Sequence, residues 1–148
     1  MRIADRMSLR LQLMAHEGSG PMKGGRHFPY RCPAGKWTLG YGRNIEDVGI
    51  SAEEARDLLD NDINAVLEDL SQFGWFFGMD PVRQRALADM RFQLGPKGFR
   101  AFADMIAAIE DGNYADAAMA ARDSKWARTD APDRAKSVTA MLETGHEV

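Results

Sequence analysis

One interruption in an otherwise helical pattern constrains this chain most. Ile3, Met7, Leu11 and Met14 recur on one face at helical spacing, and helical patterns return from residue 51 to the C-terminal end. Between them, residues 18–27 (GSGPMKGGRH) place five Gly or Pro in ten positions. Such a run cannot continue a helix, so the first helix is expected to close at about Glu17, with Gly18 where a C-terminal cap sits. Cys32-Pro33-Ala34-Gly35 then has Pro second and Gly fourth, the type I turn preference, and KWTLGYG at 36–42 follows as a strand. The interruption therefore holds a loop and a small hairpin.

After it, Ser51 and Glu54 form a capping box that opens a long amphipathic helix, with Ala55, Leu58, Leu59, Ile63, Val66, Leu67 and Leu70 as its apolar stripe. Asp80-Pro81 reads as an N-cap with Pro at the first helical position, and Val82, Ala86, Met90 and Leu94 follow until Gly95-Pro96 stops them. Further helices are expected over 99–110, 115–126 and 132–144, the last ending at Gly145. The class is α+β, with strands segregated early and helices after them. At 148 residues the chain is one domain, long enough to bury roughly two thirds of its unfolded surface, and a single cysteine excludes an internal disulfide.

Net charge is −3, but its distribution matters more: +6 over residues 1–43, −8 over 44–70 and −1 over 71–148. The basic opening suits a polyanion. Nucleic acid is excluded as a partner because no helix carries a basic stripe and no recognised binding motif is present. Arg2, Asp5, Arg6 and Arg10 interrupt the N-terminal apolar residues, so no export signal, membrane anchor or membrane insertion is expected.

The chemistry concentrates around the interruption. A carboxylate at a helix C-terminus faces the negative end of the macrodipole, which disfavours its charged form, so Glu17 is placed like an acid that keeps its proton. In KWTLGYG, alternation sends Trp37, Leu39 and Tyr41 to one face and Lys36, Thr38, Gly40 and Gly42 to the other. The second face is nearly bare backbone around one hydroxyl, which lets a ligand approach closely. An acid beside a glycine-floored groove suits protonation of a leaving glycosidic oxygen, with a second group handling water. Arg31 and Lys36 are placed to lower the pKa of the Cys32 thiol.

These residues resemble the phage-type lysozymes, the endolysins of glycoside hydrolase family 24. The family's signature of Glu, eight residues, Asp or Cys, five residues and Thr, followed by a glycine-punctuated strand, is met by Glu17, Cys32 and Thr38. Here, however, fourteen residues separate Glu17 from Cys32, so six extra residues lie in the Gly-rich loop. The likeness continues through DPVRQRALADMRFQLG, where Gln93 matches a cleft-lining glutamine. It also includes SKW at 124–126 and APDRA, where Arg134 matches an arginine facing the catalytic acid.

The resemblance implies a mostly helical lysozyme-like fold. A small β-containing lobe (17–51) and a helical lobe (71–148 with 1–16) would be joined by a long helix (52–70), with a cleft between them. It implies a muramidase that cuts the β-1,4 bond between N-acetylmuramic acid and N-acetylglucosamine in bacterial peptidoglycan. Glu17 would be the proton donor, Cys32 would stand in the position often held by aspartate, and Thr38 would hold the attacking water. Gln93, Arg134, Gly40 and Tyr41 would bind substrate. No cofactor or metal is implied. The enzyme would be a monomer, retained in the host cytoplasm until a separate holin releases it to the wall.

Two other classes fit parts of the sequence. A zinc-dependent wall amidase would draw ligands from His16, His27, Cys32 and His146, although HEGSG lacks the second histidine of HExxH. A catalytically inactive peptidoglycan-binding module would keep the groove and lose the chemistry.

Overall fold

The computed structural model describes residues 2–148. The chain divides into two compact units, residues 1–56 and 57–148. Residues 2–16 fall in the first unit.

The first unit begins with α1, Ile3–Glu17, which ends where expected: Gly18 adopts φ 71° and its N–H returns to the Met14 carbonyl. The run that follows is not a plain loop. It holds a two-stranded hairpin, β1 (Met22–Lys23) and β2 (Arg26–His27), with Lys23 opposite Arg26. Gly24 and Gly25 both take positive φ, 58° and 75°, as the mirror-image turn of a two-residue hairpin requires. A three-stranded antiparallel sheet comes next: β3 (Tyr30–Arg31), β4 (Trp37–Leu39) and β5 (Arg43–Asn44), with β4 in the middle. The Cys32 turn closes through the Gly35 N–H on the Cys32 carbonyl at 2.7 Å.

Helix α2, Ala52–Leu70, opens on the expected capping box, with Glu54 N–H on Ser51 Oγ at 3.0 Å and Ser51 N–H on Glu54 Oε2 at 2.8 Å. Its stripe is buried only at its far end, by Val66 and Leu70; Leu58, Leu59, Ile63 and Leu67 are exposed. In the second unit, a 3₁₀ turn at Phe76–Gly78 precedes α3, Pro81–Arg100, which Asp80 caps. At Gly95 the backbone leaves helical geometry (φ 74°, ψ 171°), as Gly-Pro predicts, yet a further turn resumes through Arg100. Phe99, expected to start the next helix, therefore finishes this one, and α4 is Ala103–Glu110.

Helix α5, Tyr114–Arg122, stops four residues before Trp126, where Asp123 leaves helical geometry; a separate π-helical turn follows at Trp126–Asp130, and Ser124 Oγ accepts the Ala127 N–H at 3.1 Å. Helix α6, Pro132–Thr144, has the expected bounds, with Gly145 left-handed at its end. The buried apolar cluster lies wholly in this unit, around Leu70, Phe76, Leu87, Met90, Phe99, Met105, Trp126 and Leu142. In residues 2–56 the one fully buried side chain is that of Thr38.

One core support has no local signal. Arg83, on α3, donates Nε to the Leu142 carbonyl (2.7 Å) and Nη2 to the Glu143 carbonyl (2.8 Å), satisfying the open end of α6. Its Nη1 reaches Asp80 at 3.0 Å, and its guanidinium lies 4.0 Å from the Tyr114 ring centre. Charge-assisted bonds of this kind contribute roughly 1.5–3 kcal/mol each and do not add fully. Arg83→Met, which keeps the stem, is expected to lower urea-derived stability by about 3 kcal/mol; a loss under about 1 kcal/mol would show that water replaces the guanidinium.

Candidate active site

Three features of the first unit converge on β4. The first is Glu17, the last residue of α1, whose side chain lies over the turn that joins β4 to β5. A Cβ built on Gly42 would stand 2.8 Å from Glu17 Oε2 and 3.0 Å from its Cδ. The bare backbone anticipated for a ligand at Gly42 is thus occupied by the acid itself.

The second is Cys32, half-buried at the other end of β4. The Lys36 backbone N–H holds the thiol below its ordinary value against some desolvation, and the Ala34 N–H and the Thr38 hydroxyl act in the same direction. The side-chain charges expected to do this are engaged elsewhere. Lys36 Nζ pairs with Glu46 and Asp47, both at 3.3 Å, while Arg31 stacks 4.3 Å from the Trp37 ring centre and donates to the Gly35 carbonyl. Turn amides and a hydroxyl, rather than neighbouring cations, favour the thiolate.

The third is Thr38. The alternation is present but its sense is reversed from expectation: Thr38 is 3% exposed, and Trp37 stands outward at 41%. Its hydroxyl donates to the Lys36 carbonyl at 2.9 Å and lies within reach of the Cys32 sulfur. The face expected to be open around Thr38 is therefore covered. This brings Cys32 and Thr38 together, with Glu17 held at the opposite end of a three-residue strand about 10 Å long.

Gly40 and Tyr41 sit between these groups. The Gly40 carbonyl faces the Tyr30 hydroxyl at 3.4 Å, and Tyr41 meets the edge of His27 with ring centres 5.2 Å apart. Tyr41 also walls a groove of about 660 Å³ whose floor is α1: Arg6, Leu9, Arg10, Leu13 and Met14. Arg6, Arg10 and Leu13 share a helical row that ends at Glu17, a spacing visible in the sequence; of the apolar row Ile3, Met7, Leu11 and Met14, the first three are exposed and Met14 lines the groove. Among the described residues, no group of three or more His, Cys, Asp or Glu side chains is gathered as a metal site.

Gln93 and Arg134 belong to the second unit. Gln93 is exposed and accepts the indole N–H of buried Trp126 at 2.9 Å through Oε1. Arg134 pairs through Nε with Asp89 at 2.5 Å, and both residues line a pocket of about 230 Å³ with Leu59, Ile63 and Phe92. Among the described residues, no helix is long and apolar enough to cross a membrane.

Sequence comparison supplies the family. The family model described as phage lysozyme matches residues 21–142. The match therefore includes Cys32, Thr38, Gln93 and Arg134 but starts after Glu17. A Dictyostelium discoideum protein named "Probable T4-type lysozyme 2" is 31% identical over 100 residues, which cover 65% of this chain and 58% of that protein. The pre-baseplate central spike protein Gp5 of Enterobacteria phage T4 is 34% identical over 101 residues, covering 66% of this chain and 17% of its own length. The matched part is less than two thirds of either relative.

Proposed function

The chain belongs to the phage lysozyme family, and from that premise we propose that it is a muramidase hydrolysing the β-1,4 bond between N-acetylmuramic acid and N-acetylglucosamine in bacterial peptidoglycan. The observation that carries the reading is the placing, at the two ends of one strand, of a carboxyl, Glu17 over Gly42, and a thiol, Cys32 beside Thr38.

In the proposed reaction, protonated Glu17 gives its proton to the glycosidic oxygen as the bond to the anomeric carbon breaks. Water adds to that carbon from the opposite face and gives its proton to the Cys32 thiolate. The products are two sugar hydroxyl ends, a Glu17 carboxylate and a Cys32 thiol, and solvent carries the proton back from sulfur to carboxylate. Attack on the opposite face makes the outcome inverting. Thr38, being covered, orients the sulfur and, through it, the water.

Substrate would run past Gly40 and Tyr41, with Arg6 and Arg10 facing the carboxylates of the wall's peptide stems. Gln93 and Arg134 are proposed as further sugar contacts: Trp126 occupies only the oxygen of the Gln93 amide, and Asp89 occupies only Nε of Arg134. The biological setting we propose is phage-mediated lysis by a monomer held in the host cytoplasm until a separate holin opens the membrane.

The test is digestion of purified peptidoglycan with and without a chelator, scoring new reducing ends against new free amines. Reducing ends that appear equally with chelator are the expected result. Chelator-sensitive amines would replace this reading with an amidase, and binding without release would replace it with an inactive module.

A further inference from the structure

Gly42 does more than end a strand. Its φ is +81°, and a Cβ there would meet three atoms of one side chain, Glu17 Oε2 at 2.8 Å, Cδ at 3.0 Å and Cγ at 3.2 Å. Something must yield if that Cβ is present. The backbone at this point is pinned: Arg43 pairs with Leu39 across the sheet and forks onto Glu54 through two hydrogen bonds of 2.8 Å each. Glu54 is at the same time the capping residue of α2, closed on Ser51. Arg43 first, and the Ser51 N–H after it, hold the Glu54 carboxyl down at about 2, so the fork stays charged through the whole neutral and mildly acidic range. Glu17, by contrast, is an exposed side chain at the last position of α1, where a change of rotamer moves the carboxyl without moving the backbone.

We propose that Gly42 is a positioning residue for the acid: the missing side chain at this one place in the β4–β5 turn sets where the Glu17 carboxyl rests, and the Arg43–Glu54 fork holds the turn that does it. The proposal rests on Glu17 being the acid. It follows that a methyl group at position 42 displaces the carboxyl rather than the sheet, so the fold survives and the proton arrives from the wrong place. A displacement of about 1 Å in a catalytic group is enough to cost roughly a hundredfold in rate.

The experiment separates this displacement from the strain that any side chain suffers at positive φ. Gly49 has nearly the same backbone (φ +69°) in the same unit, but a Cβ there meets nothing within 4 Å. Gly42→Ala is expected to lower kcat on peptidoglycan about a hundredfold with KM changed less than about threefold, while Gly49→Ala keeps kcat within about threefold. Both should melt at similar, slightly reduced temperatures. Adding Glu17→Asp, which withdraws the carboxyl by one methylene, should cost far less in the Gly42→Ala background than in the parent chain. Equal losses at the two glycines, or additive effects of the double change, overturn the proposal.

A second readout does not depend on turnover. The carboxyl ¹³C resonance of Glu17 should move in Gly42→Ala and stay in place in Gly49→Ala; an unmoved resonance in Gly42→Ala also overturns the seating. If Glu17→Gln remained fully active, the acid assignment alone would fall, and the resonance would still decide what Gly42 does to Glu17.

Discussion

Glu17→Gln should abolish wall hydrolysis, lowering the rate of reducing-end release by about a thousandfold or more, while leaving the melting temperature within a degree or two of the parent. General acid catalysis contributes typically 10²–10⁴-fold, and an amide nearly identical in shape cannot supply the proton. The fold has little at stake here, since Glu17 is exposed at the last turn of α1 and its close neighbour is the bare backbone of Gly42. The amide fits the same space, so any loss reads out chemistry and not packing. Residual turnover above about a tenth of the parent rate in the folded variant would move the acid role to another residue.

The next largest effect belongs to Cys32, where two substitutions are expected to go opposite ways. Cys32→Ala removes the proton acceptor and should lower kcat about a hundredfold. Cys32→Asp restores an acceptor and should retain activity, with a changed pH profile. The group works in its deprotonated form, so the rate rises as pH passes upward through its pKa. An unperturbed thiol would place that rise near about 8.5, and an aspartate near about 4. Because the Lys36 and Ala34 amides hold the thiol below its ordinary value, the parent's rise should fall between these two, and Cys32→Asp should move it further down. Iodoacetamide should inactivate the parent and spare Cys32→Asp, a clean comparison because the chain has one cysteine. Parent-level turnover in Cys32→Ala would leave the thiol without a chemical role.

What could be read in advance was what neighbouring residues decide between themselves. The ends of α1 and α6, the capping box at Ser51 and Glu54, and the Asp80-Pro81 start are set by caps whose partners lie within four residues, and the structure has them where the sequence places them. The structure departs from the sequence pattern where apolar spacing continues through a break in the backbone. Apolar spacing runs from Phe99 into α4 and from α5 into Trp126, but Phe102 and Asp123 leave helical geometry, and only packing in the second unit reveals it. Alternation splits Trp37 from Thr38 as expected, but carries no information on which face the rest of the unit covers, and the covered face is that of Thr38. Likewise, Arg83 reaches carbonyls 59 and 60 residues away, a distance over which no motif speaks. In sequence, the glycines of the 36–42 strand are empty space; that one of them is already filled by Glu17 depends on how α1 folds back over the turn.

The hairpin at 22–27 bears on how such a chain can change over generations. Its two ends are stitched together near the base: Phe28 N–H meets the Pro21 carbonyl at 3.0 Å, His27 Nδ1 meets the Ser19 carbonyl at 3.0 Å, and the Tyr30 ring lies directly against Gly20. A segment that leaves and re-enters the fold at one closed stem can be lengthened or shortened without moving what flanks it, and the entropic cost grows only slowly with length. The interval between Glu17 and Cys32 counted along the chain is therefore a poor guide to the interval that chemistry experiences. Residues added beyond the stem leave Glu17 and Cys32 where they are, and the same stem marks a natural address for grafting a foreign recognition segment onto this scaffold.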